Sequence, residues 1–413
     1  MTLGDKRQRY TYMAINVLFC LAASFAHPVT PTIIQERGFG DYVFGAALSA
    51  MMVTNFLFSP FWGRLVSYVS SRRVILVCSL GYAAGQAMFG MAQTETALLL
   101  ARVFAGVFTG GVFTAFLTYV VNTSPDDLRG SLLAATATIQ IVAGAFGFFI
   151  GGMLGEIGVS VAMTAQVVVL AGCGVLFYLT CQDDAAMDRR GVRPGALFRE
   201  ANPVAVLVSG RSIMTPLYAA LLAICALANL GATAFDQSFN YYLKAQLGLS
   251  SGYNGAIKGV VGLVSLAANS TIGLWLINKT DTRRSMIWVY MFCSTAILGV
   301  VLVDALVPLV TVVVIYFGIF AVSIPLTQSV VAERAKRGDS NLILGYFNGV
   351  RSLGGIVGAL SAGLLYTVHP KWPFVLGLVA FMFAAMAATY HYQLSKGHQV
   401  PDRTAAQPVG TTP

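Results

Sequence analysis

Charged residues are scarce in this chain: they make up 10% of 413 residues, against 56% hydrophobic, where a soluble domain carries about a quarter charged residues. A water-soluble fold is excluded, and the mean hydropathy of +0.72 agrees. The six cysteines (Cys20, Cys78, Cys173, Cys181, Cys225, Cys293) show no CxxC spacing, and the four histidines are scattered, so neither a disulfide framework nor a zinc site is expected. No GxxxxGK[ST] loop is present to couple ATP hydrolysis, and no HExxH or GxSxG offers a membrane protease its catalytic group. No enzyme, metal or cofactor is expected.

Long apolar runs are abundant. At about 20 residues per span, they predict helices near 11–34, 42–62, 74–92, 96–121, 131–155, 160–180, 214–243, 252–277, 285–303, 308–331, 341–367 and 372–392. The first run follows Lys6, Arg7 and Arg9 as a signal peptide would, but its length and the eleven further runs predict a retained span. The longest polar stretch divides the runs into two sets of six. The expected architecture is an all-α polytopic membrane protein of two pseudo-symmetric six-helix bundles: 1–180, a central loop 181–212, a second bundle 213–394 and a disordered tail 395–413.

The basic residues set the orientation. With the amino terminus inside, 20 of 26 lysines and arginines fall on the cytoplasmic side, and the positive-inside rule places both termini in the cytoplasm of a plasma (inner) membrane protein. The net charge of +9 is therefore a topology signature, and no nucleic-acid partner is expected.

The two sets of six repeat each other at a shift of about 210: Gly38-Phe39 with Gly248-Leu249, Gly45-Ala46 with Gly255-Ala256, and Gly144, Gly147 and Gly152 with Gly355, Gly358 and Gly363. Duplicated six-helix units are common in secondary transporters, with substrate bound between the repeats.

Four motifs carry a family resemblance. GRLVSYVSSRR (63–73) resembles the loop motif of the major facilitator superfamily in Gly63, Leu65, Arg72 and Arg73, with Ser67 and Ser70 at its aspartate and glycine. GLWLINKTDTRR (273–284) is a degenerate copy. ARVFAGVFTGG (101–111) looks like the family's helix-4 pattern through Arg102 and Gly106. AGAFGFFIGG (143–152) is similar to the helix-5 antiporter motif in Gly147, Gly151 and Gly152, with Phe148 at its proline. The resemblance, closest to the drug:proton antiporter branch, implies alternating access by two rocking bundles and a part for Arg102 in proton coupling.

Ionisable groups in hydrocarbon cost roughly 2.5–3.5 kcal/mol on insertion scales, so they mark partners or wet cavities. Helix 7 carries Asn229, Thr233, Asp236 and Asn240 on one face, expected to line the cavity, with interhelical hydrogen bonding the alternative for the asparagines. Asp236, the single deep acid, is either a proton carrier or the partner of Lys258. Its counterpart is His27, beside Pro28 and Pro31, which should kink helix 1 and free carbonyls. Arg102 finds no acid on helix 1, and its alternative is a structural arginine satisfied by helix-1 carbonyls near His27. Arg351, ~15 Å into helix 11, has neutral Gln140 as its counterpart and is expected to hold an anionic group. The stripes Gly144-Gly147-Gly151 and Gly355-Gly358-Ala362 are expected to form the sliding contact between bundles. Phe235, Phe239 and Tyr316 are aromatic candidates for the cargo site, with packing as their alternative.

Three deep cations against one acid favour an anionic or neutral polar cargo. The expected function is proton-coupled export of a small amphipathic organic compound by a monomer in the bilayer. Its rival is an organic-anion uptake symporter or anion exchanger, and a non-transporting sensor on the same fold is a more distant reading.

Overall fold

The computed structural model describes residues 3, 5–66, 68–184, 214–335 and 340–397. Among them twelve helices are long and apolar enough to cross a membrane: spans 1 (Lys6–Glu36), 2 (Val43–Leu65), 3 (Ser71–Met91), 4 (Glu95–Thr123), 5 (Asp126–Ile157), 6 (Val159–Thr180), 7 (Pro216–Ala245), 8 (Ser251–Lys279), 9 (Thr282–Leu302), 10 (Leu306–Val331), 11 (Gly345–Val368) and 12 (Trp372–Lys396). The described residues contain no strand. Most of the expected central loop and tail lies outside the described residues, as does Ser67.

Several helices begin before the apolar run that predicts them, because polar residues cap them. The Asp5 side chain accepts from the Arg7 backbone N–H, and span 5 opens after Pro125 with Asp126 and Asp127 in its first turn. Acids there complement the helix dipole, and Asp126 also pairs with Arg129 at 2.8 Å.

Span 1 breaks at Ser24–Phe25 into Lys6–Ala23 and Ala26–Glu36. Pro28 and Pro31 lack the N–H groups that would bond the carbonyls four residues back. The Ser24 carbonyl is taken by the His27 N–H in a tighter turn, and the His27 carbonyl is left for a partner outside the helix. Spans 1 and 7 both end on a left-handed glycine, Gly38 (φ 65°) and Gly248 (φ 64°), which lets the chain turn back without a Cβ clash.

The two bundles meet through span 5 against span 8 and span 2 against span 11. Gly45 lies on Ala359 and Gly363 of span 11, while its repeat partner Gly255 lies on Phe148 and Gly152 of span 5. A side chain at either glycine would overlap opposing backbone. Beside these contacts Thr32 hydrogen-bonds Ser251 (3.2 Å), and Tyr241 donates to Asp41 (2.6 Å). All four contacts sit at the end remote from the chain termini. At mid-depth Ala145 meets Gly262 and Met52 meets Gly355. The bundles are thus in contact at the remote end and at mid-depth.

The glycine stripes require a correction. Gly147 and Gly151 face Leu21 and Phe25 of span 1, and Gly358 faces Leu230 of span 7, so these three tighten packing inside a bundle. Of the five candidate packing glycines, Gly152 and Gly355 touch the other bundle. A helix buries more than one face, and the small residues nearest its own first span are the ones whose backbones must approach closest.

Candidate functional site

The polar face of span 7 is a ladder of interhelical contacts. Asn229 Oδ1 accepts from Arg351 Nε at 3.2 Å, Asp236 is ion-paired with Lys258 of span 8, and Asn240 Nδ2 donates to the His27 carbonyl at 3.0 Å. That carbonyl is the one Pro31 set free. Asn254 Nδ2 donates in turn to Asn240 Oδ1, and Thr233 lies against Gly355. Both asparagines therefore hydrogen-bond between helices.

The Asp236–Lys258 pair is unevenly exposed: the lysine side chain is 7% exposed and that of the aspartate 36%. The ammonium lies 4.4 Å from the Phe317 ring centroid and 5.8 Å from those of Phe148 and Phe239. This cage of aromatic faces favours a cation while keeping water from it. Asp236 also accepts from Gln237 at 3.2 Å. Removing one partner of a buried pair costs about 3–5 kcal/mol because the other charge is stranded.

His27 stacks on Phe148, with ring centroids 5.6 Å apart. It shares a small cavity with Arg102, Gln237, Asn240 and Tyr241. Arg102 meets no span-1 carbonyl; its guanidinium lies 3.7 Å above the Phe89 ring, with Nη1 3.4 Å from Gln86 Oε1 and 3.7 Å from Met51 Sδ. The break in span 1 explains why: its loosened carbonyls are used by His27, Tyr82, Gln166 and Asn240. Arg102 is 5% exposed, and its Nε has no partner among the described residues. A cation–π contact contributes about 0.5–2 kcal/mol, less than the insertion cost of an arginine. The cavity side is where the remaining compensation must come from.

Arg351 lines a second small cavity, together with Asn229, Tyr290, Ser323, Thr327 and Gln328. Neither Arg351 nor Arg102 has a carboxylate partner among the described residues. Gln140, the counterpart of Arg351, leaves its side-chain N–H group unpartnered among the described residues.

The aromatic candidates sit elsewhere than on the cavity wall. Phe235, Phe239 and Tyr316 are fully buried; Phe235 packs on Tyr316 at 4.3 Å and on Phe374 at 5.3 Å. They fill the core of the last six spans, on the side of span 7 away from its polar face. Phe239 nonetheless reaches the site as one ring around Lys258.

The loop motif is held by an acid that sequence reading missed. Asp184 is buried just past span 6, accepting from Ser71 Oγ (2.6 Å) and Asn122 Nδ2 (2.9 Å). Arg72 binds the Cys181 carbonyl at 3.3 Å, pairs with Asp183 at 3.5 Å and covers the Tyr178 ring at 4.8 Å. Gly63 and Leu65 precede this anchor at the end of span 2, and Arg73 follows Arg72 in the first turn of span 3. The adjacent pair Asp183-Asp184 directly after an apolar run was the available signal.

A family model described as the Major Facilitator Superfamily matches residues 12–359. Multidrug resistance protein 1 of Bacillus subtilis (strain 168) is 23% identical over 395 residues, covering 91% of this chain and 94% of that protein. Quinolone resistance protein NorA of Staphylococcus aureus (strain MRSA252) is 23% identical over 146 residues, 35% of this chain and 37% of NorA. Among solved structures, a bacterial homologue of the human lysosomal transporter Spinster, in its inward-facing and unoccupied conformation, superposes with TM-score 0.73 at 13% identity, covering 94% of this chain and 97% of that one. The human organic anion transporter MFSD10 gives 0.65 at 18% identity, covering 93% and 99%.

Proposed function

This chain belongs to the Major Facilitator Superfamily and is a multi-pass membrane transporter, and from that premise we propose that it exports small amphipathic organic compounds, neutral or anionic, in exchange for protons. The observation that carries this reading is the Asp236–Lys258 pair, whose acid is the more exposed partner. A proton arriving on Asp236 removes the attraction that ties span 7 to span 8. Span 8 is also the helix that meets span 5 across the bundle interface, so protonation there reaches the contact that closes the remote end. His27 and Arg102, lining a shared cavity beside Asn240, complete the proton-coupling group. Arg351 with Asn229, and Thr233 and Gln140 near mid-depth, form the cargo site. The multidrug relatives support the export direction.

The alternative, an organic-anion symporter or exchanger, is favoured by one observation: Arg102 and Arg351 are deep cations without carboxylate partners among the described residues. Counterflow of labelled compounds in proteoliposomes separates the two. Uphill movement that follows an imposed pH gradient supports the exporter, and obligatory exchange of one anion for another, indifferent to pH gradient, supports the rival.

We place the protein in the plasma (inner) membrane as a monomer, with residues 1–180 and 213–394 as the rocking bundles and both termini cytoplasmic. In that orientation the closed end faces away from the cytoplasm. A reporter cysteine near Arg190 should resist impermeant reagent on intact cells and react in inverted vesicles.

A further inference from the structure

We propose that the outward face of spans 8, 9 and 10 is a binding site for an anionic phospholipid of the leaflet at the termini end. An open, apolar cleft lies there. Its span-8 wall is Val264, Ala268, Ile272 and Leu276, four residues apart and so on one helix face. From Val264 to Leu276 that wall runs ~18 Å at the helical rise, close to the half-thickness of a ~30 Å hydrocarbon core. The helix is not regular over this stretch: Asn269–Gly273 is a π-helical segment, which widens the turn and is a frequent mark of functional sites. Trp288 and Phe292 of span 9 line the opposite wall and are 51% and 56% exposed, although they are large enough to have been buried. The depth and the apolar lining suit an acyl chain.

What selects the headgroup is at the termini end. The cleft's polar lining residue is Ser285. One helical turn beyond the apolar walls come two cations, Lys279 three residues after Leu276 and Arg284 four residues before Trp288, each on the same helix face as the residue it follows or precedes. Both are exposed, and neither makes an ion pair or hydrogen bond among the described residues. Neighbouring charges are otherwise engaged: Arg283 binds Glu333 through two contacts of 2.8 and 2.9 Å, and Asp281 accepts from the Arg283 backbone N–H. Two cations, unpaired among the described residues, at the mouth of a leaflet-deep apolar cleft complement one phosphodiester with its chain below. Juxtamembrane cations of this kind attract anionic lipid.

The test is native mass spectrometry of the full-length protein released from mixed micelles of phosphatidylglycerol and phosphatidylcholine. Wild type should retain phosphatidylglycerol over phosphatidylcholine by about fivefold or more, the scale set by one to two interfacial cations. The paired change Lys279→Ala with Arg284→Ala should bring that ratio near one while still retaining lipid. Ala268→Phe, which occupies the chain slot, should lower retention of both lipids. A wild-type ratio of one, or a preference unchanged by the paired change, overturns the proposal. Should a variant fail to fold, the difference in fluorescence quenching between wild type and Trp288→Phe by chain-brominated phosphatidylglycerol and phosphatidylcholine decides instead. Stronger quenching by the anionic lipid at position 288 supports the site, and equal quenching refutes it.

Discussion

The two bundles share a scaffold and differ in their chemistry. Gly45 and Gly255 make the same contact from opposite sides, as do Gly152 and Gly363, and Gly147 faces Leu21 just as Gly358 faces Leu230. Thr32 and Tyr241 occupy equivalent places in the closed end, but one bonds a hydroxyl and the other a carboxylate. At the centre the divergence is complete: the first bundle holds a lone Arg102 beside neutral Gln86, and the second holds a charge pair and an arginine capped by an asparagine. Backbone approach through glycine carries no chemistry of its own, so duplication preserved it on both sides, and that symmetry suits a rocking motion. The buried polar groups differ because their partners come from different helices in the two bundles.

The largest expected effect tests the shared scaffold. Gly45→Val and Gly255→Val each drive a side chain into opposing backbone, an overpacking cost of about 1–3 kcal/mol or more. Each should lower transport in proteoliposomes by about tenfold or more, and to a similar degree. A severe loss in one with full activity in the other would break the symmetry argument.

Next comes Asp236→Asn, which keeps the shape but removes titration and leaves Lys258 unpaired. Uphill, gradient-driven transport should disappear while downhill counterflow persists. Retained uphill transport would remove Asp236 as an obligatory proton carrier. If folded protein collapses and Lys258→Met restores it, the pair is structural instead.

Arg351→Gln copies the residue of the other bundle. It should fold, and should weaken an anionic cargo by roughly 1.5–3 kcal/mol, the scale of a charge-assisted hydrogen bond. Arg351→Lys should recover only part, since an ammonium cannot reproduce a planar fork. Unchanged affinity in Arg351→Gln, by calorimetry or competition with an identified anion, would leave Arg351 as a strut on Asn229.

The smallest effects sharpen the comparison at the closed end. Tyr241→Phe loses a bond to a charged acceptor, worth about 1.5–3 kcal/mol, and Thr32→Val loses a neutral one, worth about 0.5–1.5 kcal/mol. Spin labels across that end should show more of the opened population in Tyr241→Phe than in Thr32→Val. The reverse order would place the latch in the first bundle's contact.

Much of the fold was legible in the chain. Apolar runs give the twelve spans because hydrocarbon demands them, and the paired glycines Gly45/Gly255 and Gly152/Gly363 correctly mark matching positions. The site was harder to read. Helical periodicity placed Asn229, Thr233, Asp236 and Asn240 on one face, yet it could not say that Arg351, Lys258 and the His27 carbonyl would meet them. It also gave no reason to look to Gln86 and Phe89 for the partners of Arg102, or to Asp184 for the anchor of the loop motif, because those contacts join spans distant in sequence.

By itself, the sequence determined that this chain lives in a bilayer, how many times it can cross, where the repeat falls and which deep residues are polar. Those follow from local properties: transfer free energy over about 20 residues and the 3.6-residue period. The tertiary structure alone decided which cation is paired and which is left facing a cavity, which glycines touch their own bundle and which touch the other, and that the bundles close at the end remote from the termini. A side chain's periodicity names the direction it faces, but its charge balance and its freedom to move are set by whatever helix lies opposite.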